Sequence, residues 1–375
     1  MKKLIKFIKK ETVLSIAFLL AVLSAFIVPI DMEYISYIDF RVLVLLFALM
    51  TVMSGLQSLG IFEKLSFALL KRIHNTRSLT LLLVCLCFFL AMFITNDVAL
   101  ITFVPFTILI LEKVNKPGLL IPIIVLETIA ANLGSMLTPI GNPQNLYLYG
   151  LSSLSIQEFL LHMAPSAILS FVLLLICSFL LKKETFILAD TTAASYKKDS
   201  ALTAYYFVLF ILCLLTVAYL IPYPVLLIVS IPILFFWDRA TLKNVDYSLL
   251  LTFISFFIFI GNMQRIPSIA NMISTLVTGK ELLAAFLSSQ IISNVPAAML
   301  LSGFTNNYKE LLLGVNIGGL GTLIASLASL ISYKYFVVYA RKLPNELRIT
   351  KGRYMIHFTF MNLLFAIILL IFVFL

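Results

Sequence analysis

Two short polar sequences, each flanked by apolar residues, carry the groups best suited to bind an ion in this chain. Residues 95–97 read Thr-Asn-Asp, and residues 293–296 read Ser-Asn-Val-Pro. Hydroxyl, amide and carboxylate oxygens are ligands for hard cations, and a carboxylate inside a membrane can instead carry a proton. Both sequences therefore predict ion-binding tips, and Asp97 makes the first tip the stronger one for a cation.

Two helix-breaking segments follow these tips. Residues 132–145 read Asn-Leu-Gly-Ser-Met-Leu-Thr-Pro-Ile-Gly-Asn-Pro-Gln-Asn, and a less polar copy returns at 316–326. Freed backbone groups cost several kcal/mol each in lipid, so a break at membrane depth persists only where it lines a cavity. Two broken helices at matching places in two halves are typical of the binding site of a transporter.

The tips and breaks supply the candidate site residues. We expect cation or proton coupling at Thr95, Asn96, Asp97, Glu127, Thr138, Gly141, Asn142, Ser293 and Asn294. Within that set, Na⁺ is expected at Asn96, Asp97, Thr138 and Asn142, with freed carbonyls as further ligands. Substrate contacts are expected from Asn96, Asn142, Asn145, Asn294, Gly319 and Thr322. No cofactor other than the coupling Na⁺ or H⁺ is indicated.

Only two ionisable residues lie deep within apolar stretches, and intramembrane carboxylates are functional candidates by default. Asp97 either completes a cation site or caps the helix that follows it. Glu127 either carries a proton or anchors its helix at the lipid interface. No Lys or Arg is expected at the middle of a span, so an anionic substrate would depend on amides, hydroxyls, helix termini and a bound cation.

The elements that position these residues must cross a membrane. Hydrophobic residues make up 62% of the chain and charged residues 12%, with a mean hydropathy of +1.09. We predict an all-α polytopic membrane protein with about nine crossings, two re-entrant hairpins and two broken helices. The crossings are expected at 13–30, 40–60, 118–150, 164–182, 202–220, 223–237, 247–263, 308–333 and 354–375.

The net charge of +10 follows the membrane topology. With a cytoplasmic amino terminus and an external carboxyl terminus, every basic residue lies inside except Arg41, Arg265, Lys280 and Lys309. The positive charge therefore does not indicate a nucleic-acid partner. We expect a lipid bilayer around the chain, in a bacterial-type inner membrane.

The chain divides into two similar halves. Residues 1–182 form the first, with a hairpin at 79–112 and a broken helix at 118–150. Residues 183–222 form a linker and a central crossing helix. Residues 223–375 form the second half, with a hairpin at 280–304 and a broken helix at 308–340. The odd number of intervening crossings inverts the second half, and short amphipathic helices at 61–73 and 266–277 are expected in the interface plane.

Other function classes lack support in the sequence. There is no His-Glu-x-x-His motif and no Walker lysine, so neither an enzyme nor an ATP-driven pump is indicated. The four cysteines lie in apolar runs, as buried small hydrophobic residues do. A non-transporting scaffold or receptor would tolerate alanine at both tips.

The tip motifs at 95–97 and 293–296, with the break at 138–145, resemble those of the ion transporter superfamily. That group includes citrate and dicarboxylate symporters, arsenite permeases and sodium–proton antiporters. The resemblance covers about residues 39–340 and implies a homodimer that moves its transport part like an elevator. It also implies that Asn96 and Asn294 contact the substrate or cation, as in the Ser-Asn-Thr tips of the dicarboxylate symporters. Asp97 and Val295 each stand where that pattern has a threonine, so each tip lacks its hydroxyl.

The expected function is cation-coupled transport of a small anion, with citrate or another di- or tricarboxylate as the favoured class. Two alternatives remain open at this point: efflux of arsenite or antimonite, and Na⁺/H⁺ antiport with Asp97 and Glu127 as exchange carboxylates.

Overall fold

The computed structural model describes residues 11–70, 73–186, 199–341 and 350–375. This part of the chain is helical. The first half contains α1 (Thr12–Ala25), α2 (Glu33–Ser36), α3 (Phe40–Ser58), α4 (Ile61–Leu70), α5 (Thr76–Ile94), α6 (Asn96–Lys113), α7 (Leu120–Ser135), α8 (Pro143–Leu151) and α9 (Ile156–Leu180). The rest contains α10 (Ser200–Val217), α11 (Pro224–Phe236), α12 (Arg239–Asn244), α13 (Tyr247–Gln264), α14 (Pro267–Val277), α15 (Glu281–Ile292), α16 (Asn294–Ser302), α17 (Tyr308–Ile317), α18 (Leu327–Ala340) and α19 (Lys351–Phe374).

Seven helices in the described residues are long and apolar enough to cross a membrane: α3, α5, α7 with its preceding 3₁₀ turn, α9, α10, α13 and α19. The chain is therefore a polytopic membrane protein, as predicted. Helix α5 is an arm of the first expected hairpin, and its 19 residues suffice for a crossing. The expected count of nine crossings and the re-entrant path of the hairpins stay predictions.

Both hairpins and both broken helices are present as helical elements. The first hairpin is α5–α6 and the second is α15–α16, while α7–α8 and α17–α18 are the broken helices. The second segment of each broken helix packs against the other half: α8 contacts α16 and α17, and α18 contacts α6 and α7. These contacts between the halves join the two hairpins and the two broken helices into one helical body.

A second group of helices lies beside that body. Helix α1 packs on α13, and α10 and α11 pack on α3. Side-chain caps set the start of α3 and α13, where Asp39 accepts from Val42 N at 3.0 Å and Asp246 accepts from Leu249 N at 3.0 Å. Each such cap stabilises its helix by about 1 kcal/mol. The matching caps agree with the predicted equivalence of the two halves.

Two of the arginines that the sequence placed outside hold helices together. The Arg41 guanidinium donates to the carbonyls of Thr216 and Val217 at 3.0 and 3.3 Å, and lies 3.7 Å from the ring centroid of Tyr219. Arg265 pairs with Asp31 at 2.8 Å and with Glu33 at 3.4 Å. Both arginines therefore have a tertiary role, and their location outside the membrane stays a prediction.

Candidate functional site

The first hairpin turns at a single residue. Thr95 has φ 70° and ψ 151°, a left-handed conformation that reverses the chain between α5 and α6. Asn96 N donates to Gly141 O at 3.2 Å, and its side-chain oxygen accepts from Asp97 N at 3.0 Å. The tip is therefore hydrogen-bonded to the break of α7–α8 and leaves the Asp97 side chain at its edge.

The second hairpin repeats this geometry. Ser293 has φ 77° and ψ 154°, Asn294 N donates to Ala325 O at 2.9 Å, and the Asn294 side-chain oxygen accepts from Val295 N at 2.9 Å. The two breaks begin at 132 and 316, and this offset of 184 residues places Ala325 opposite Gly141. The expected three- and four-residue tips are thus one-residue turns, because helices end and begin directly on either side of Thr95 and Ser293.

One asparagine at the start of each break connects that break to the opposite half. Asn132 Oδ1 accepts from Asn96 Nδ2 at 3.1 Å and from Ser326 Oγ at 3.0 Å. Asn316 Oδ1 accepts from Asn142 Nδ2 at 3.0 Å, and Asn316 Nδ2 donates to Asn145 Oδ1 at 2.6 Å. Asn132 and Asn316 are absent from the sequence-derived candidates. Their matching positions at the start of the two breaks are the signal that could have identified them.

Side-chain amides satisfy the carbonyls freed by the first break. Asn145 Nδ2 donates to the carbonyls of Ser135, Met136 and Thr138 at 3.3, 3.1 and 3.1 Å. The Thr138 hydroxyl donates to Met92 O. Asn145 and Thr138 therefore build the break and fix it to the first hairpin, whereas their expected roles in substrate and cation binding stay predictions.

The second break is satisfied by a residue of the hairpin arm. Gln290 Nε2 donates to Gly318 O and Leu320 O, both at 2.9 Å, and Gln290 Oε1 accepts from Thr322 N at 3.0 Å. The Thr322 hydroxyl donates to Gln290 O at 3.0 Å. Sequence reasoning missed Gln290, although a glutamine in an apolar arm is itself a signal. The N–H and the hydroxyl of Thr322, an expected substrate ligand, are both bonded to Gln290.

The first tip opens onto a cavity of about 350 Å³. Its polar lining includes Thr95, Asp97, Asn142, Gln57 and Asp246. Among the described residues this lining has two carboxylates and no basic side chain. The cavity thus suits a cation, a proton or a neutral solute, and it admits an anion only with compensating positive charge.

The second tip opens onto a cavity of about 280 Å³, lined by Ser293, Val295, Thr252 and Lys334 among others. Asp246 and Leu249 line both cavities. The sequence had placed Lys334 beyond a span ending at 333. Helix α18 begins only after the break and carries Lys334 at its middle, and the predicted end of the span stays a prediction.

The carboxylate of Asp97 is available to a ligand. Neither Asp97 nor Thr95 contributes a side-chain cap, and the Asp97 carboxylate accepts no hydrogen bond from the described part of the chain. The capping role considered for Asp97 from the sequence is therefore not observed. The side-chain oxygen of Asn96 accepts the hydrogen bond from Asp97 N instead.

Glu127 lies apart from both cavities. It is completely buried, and its Oε1 accepts from Thr107 Oγ1 at 2.5 Å, while Oε2 has no partner among the described residues. The lipid-anchoring interpretation of Glu127 is therefore wrong. Gly319 is also buried, and its carbonyl lies 3.5 Å from Asn132 Nδ2. Neither residue lines the cavities, so their expected roles stay predictions.

Comparison with known proteins identifies the family to which this arrangement belongs. A family model described as "Citrate transporter" (CitMHS) matches residues 3–308. The chain belongs to the citrate transporter family. This confirms the resemblance inferred from the tips and the breaks, and the family identifies the protein as a multi-pass membrane transporter.

Individual relatives agree with that assignment. An uncharacterized transporter of Methanocaldococcus jannaschii is 36% identical over 309 residues, which cover 81% of this chain and 83% of the relative. The inner membrane protein YbiR of Escherichia coli is 32% identical over 318 residues, covering 83% and 84%. A silicon efflux transporter of Oryza sativa subsp. japonica is 31% identical over 156 residues, covering 41% and 32%.

Proposed function

We propose that this protein is a secondary active transporter that couples the movement of a small anion to Na⁺ or H⁺. Citrate or another di- or tricarboxylate is the substrate class that the family favours. The coupling cation binds at the first tip, near Asp97, and the substrate lies between the two tips, beside the amides of Asn96 and Asn294.

The observation that carries this proposal is the repeated contact between tip and break. Asn96 with Gly141 and Asn294 with Ala325 make equivalent backbone hydrogen bonds, and each tip adjoins a cavity that Asp246 also lines. Helix breaks with paired hairpin tips in two related halves are the arrangement from which transporters build one central site.

The charge of the first cavity supports coupling to a cation. Two like unit charges about 5 Å apart repel by about 3 kcal/mol at an effective dielectric of 20. An unaccompanied di- or tricarboxylate beside Asp97 and Asp246 would meet this repulsion more than once. A proton or Na⁺ at Asp97 removes the part of this repulsion that Asp97 causes, so anion binding and cation binding favour each other.

The helix packing supports an elevator-type movement. The hairpins and broken helices pack on one another across the halves, while α3 packs mainly on α10 and α11, and α13 packs mainly on α1. In this proposal the body of hairpins and broken helices moves, and these other helices are the scaffold of a homodimer. With the amino terminus cytoplasmic, Gln57 and Asp246 lie at the cytoplasmic ends of their helices, and the first cavity faces inward.

The test is the thermal stability of the purified protein with a panel of anions, with and without Na⁺, at pH 6 and pH 8. A ligand that binds the folded state raises the melting temperature by mass action. We expect a carboxylate to raise it only when Na⁺ or low pH accompanies the anion. Chloride, sulfate and choline salts at equal ionic strength are the controls. A carboxylate effect equal in all cation conditions would contradict coupling.

Na⁺/H⁺ antiport or efflux of a compound such as arsenite is the second candidate. It is favoured by the two carboxylates and the absence of a basic side chain in the described lining of the first cavity. The relative named as a silicon efflux transporter points in the same direction. This candidate predicts stabilisation by Na⁺ alone, stronger at high pH and indifferent to carboxylates, and loss of that effect in Asp97→Asn.

A further inference from the structure

The side-chain amide of Asn142 has almost no free hydrogen-bonding capacity. This residue is buried and lines the first cavity. Its Oδ1 accepts from Asn145 N at 2.8 Å. Its Nδ2 donates to Ser135 Oγ at 3.1 Å and to Asn316 Oδ1 at 3.0 Å. A side-chain amide has two N–H groups and two oxygen lone pairs, so only one lone pair of Oδ1 is left for a ligand.

Backbone groups fix which atom of each amide is the oxygen. Asn145 N can only donate, so the Asn142 atom that meets it is Oδ1. Leu312 O can only accept, so the Asn316 atom that lies 2.8 Å from it is Nδ2. Asn316 Nδ2 also donates to Asn145 Oδ1 at 2.6 Å. The oxygen of the Asn316 amide therefore faces Asn142, and both amides are held in one orientation.

The acceptor that holds Asn142 comes from the other half of the chain. Asn316 lies near the end of α17, is buried, and lines neither of the two cavities. Asn142 precedes α8 in the first break. Asn316 can therefore act on a ligand in the first cavity only through the residues that it holds.

The spare lone pair of Asn142 suits a metal ion. Amide and carboxylate oxygens are ligands for hard cations, and Asp97 and Thr95 line the same cavity. The Asp97 carboxylate accepts no hydrogen bond from the described part of the chain. A carboxylate of an organic anion would meet an acceptor at Asn142 and a like charge at Asp97, and both repel it.

We propose that Asn316 is a positioning residue for a Na⁺ site in the first cavity. Together with Ser135 it turns both N–H groups of the Asn142 amide into the protein, so that the remaining lone pair of Asn142 Oδ1 coordinates Na⁺ with the Asp97 carboxylate. This inference rests on the proposed function and narrows it: the coupling ion is Na⁺, and Asn142 binds the ion and not the anion.

Asn316→Ser tests the proposal with little change inside helix α17. A serine hydroxyl within a helix bonds to the carbonyl four residues earlier, so this variant keeps a bond to Leu312 O. The hydroxyl is too short to reach Asn142, whose amide loses one of its two acceptors. Asn362→Ser is the matched control, because Asn362 is also buried and donates to the carbonyl four residues earlier, Phe358 O, at 2.8 Å.

The measurement is uptake of radiolabelled citrate or succinate into proteoliposomes at pH 8, with NaCl varied against choline chloride at constant ionic strength. A parallel series replaces the Na⁺ gradient by a proton gradient. In Asn316→Ser we expect the half-saturating Na⁺ concentration to rise about three- to tenfold, as the loss of an interhelical hydrogen bond allows. The KM of the carboxylate at saturating Na⁺ should change by less than about twofold, because Asn142 does not contact the anion. The control should leave both values unchanged.

Ser135→Ala is a smaller change that tests the same claim. It removes the other acceptor of Asn142 Nδ2 and leaves Asn316 in place. It should also raise the half-saturating Na⁺ concentration, and it decides the question if Asn316→Ser does not fold. A merely structural role of these residues would lower the melting temperature or the maximal rate and leave the half-saturating Na⁺ concentration as it is.

An unchanged Na⁺ dependence in the folded variants, or an equal rise in the KM of the carboxylate, overturns the inference. Uptake by the unmodified protein that a proton gradient drives and Na⁺ does not also overturns it, while the proposed function stands. Uptake that is indifferent to both cations overturns both. The failure of the two proposals is thereby distinguishable.

Discussion

Asn132 provides the sharpest test of how the two halves are connected. Its side-chain oxygen accepts hydrogen bonds from the first tip, through Asn96 Nδ2 at 3.1 Å, and from the second break, through Ser326 Oγ at 3.0 Å. Asn132→Ala removes both bonds and leaves two donors without this acceptor in a buried site. We expect the tip and the opposite break to loosen together.

The magnitude follows from these two contacts. Interhelical hydrogen bonds in membrane proteins contribute about 0.6–1.7 kcal/mol each. Losing two therefore costs about 1–3 kcal/mol, which corresponds to a fall in melting temperature of about 2–12 °C at roughly 2–4 °C per kcal/mol.

The assay is thermal unfolding of the purified variants in one detergent. Asn362→Ala is the matched control, because Asn362 is equally buried but donates only within its own helix, to Phe358 O at 2.8 Å. We expect a fall less than half that of Asn132→Ala. A double-mutant cycle with Ser326→Ala should give a coupling energy above about 0.5 kcal/mol. Equal falls for both asparagine variants, with additive effects in the cycle, would refute the reasoning.

Three further predictions address the cavity, the packing and the surface. Asp97→Asn should raise the half-saturating concentration of the coupling cation in transport at least tenfold while the melting temperature changes little, because this carboxylate lines the cavity without a bonded partner in the described residues; an unchanged cation dependence would contradict its role. Gly134→Ala should lower the melting temperature far more than Gly118→Ala. A Cβ at position 134 would lie 2.1 Å from a backbone oxygen of the first hairpin, whereas a Cβ at position 118 has open space around it. Equal effects of the two substitutions would exclude this close packing. Glu184→Gln should be slightly destabilising at pH 7 in a melting series, because the hydrogen bonds and charges of Lys116 and a neighbouring lysine lower the pKa of this carboxyl. Stability from a lowered pKa is present above the unfolded-state value and is lost as pH falls through the folded-state value. The difference between variant and parent should therefore shrink as pH falls below the ordinary Glu pKa of about 4.3, and a difference that stays constant on further acidification would contradict it.

Local signals in the sequence predicted the order of elements. The predicted hairpin at 280–304 consists of α15 (Glu281–Ile292) and α16 (Asn294–Ser302), and α17 and α18 are separated within the predicted break at 316–326. Apolar runs, glycines and helix-capping residues act within a few positions of the chain, so they mark such boundaries. The correspondence between Gly141 and Ala325 also follows from the sequence. The two residues lie at the same distance from the start of their breaks, and equal spacing is enough to give equivalent backbone contacts.

Contacts between distant segments could not be read in the same way. The bond from Asn132 to Ser326 and the reach of Gln290 to Gly318 depend on how the halves pack, which no local pattern encodes. The middle position of Lys334 in α18 depends on where the helix restarts after the break. Sequence reasoning therefore located the broken helices and missed the side chains that join them.

The central claim, cation-coupled transport of a small anion, is tested most directly by uptake into proteoliposomes. Radiolabelled citrate and succinate are offered under an inward Na⁺ gradient, an inward proton gradient, or neither, with Asp97→Asn as the comparison. The account predicts that at least one carboxylate accumulates above its external concentration only under a cation gradient, and that Asp97→Asn accumulates far less under the same gradient. Equilibration of carboxylates at the same level under all three conditions, or Na⁺/H⁺ exchange with no carboxylate movement, would contradict it.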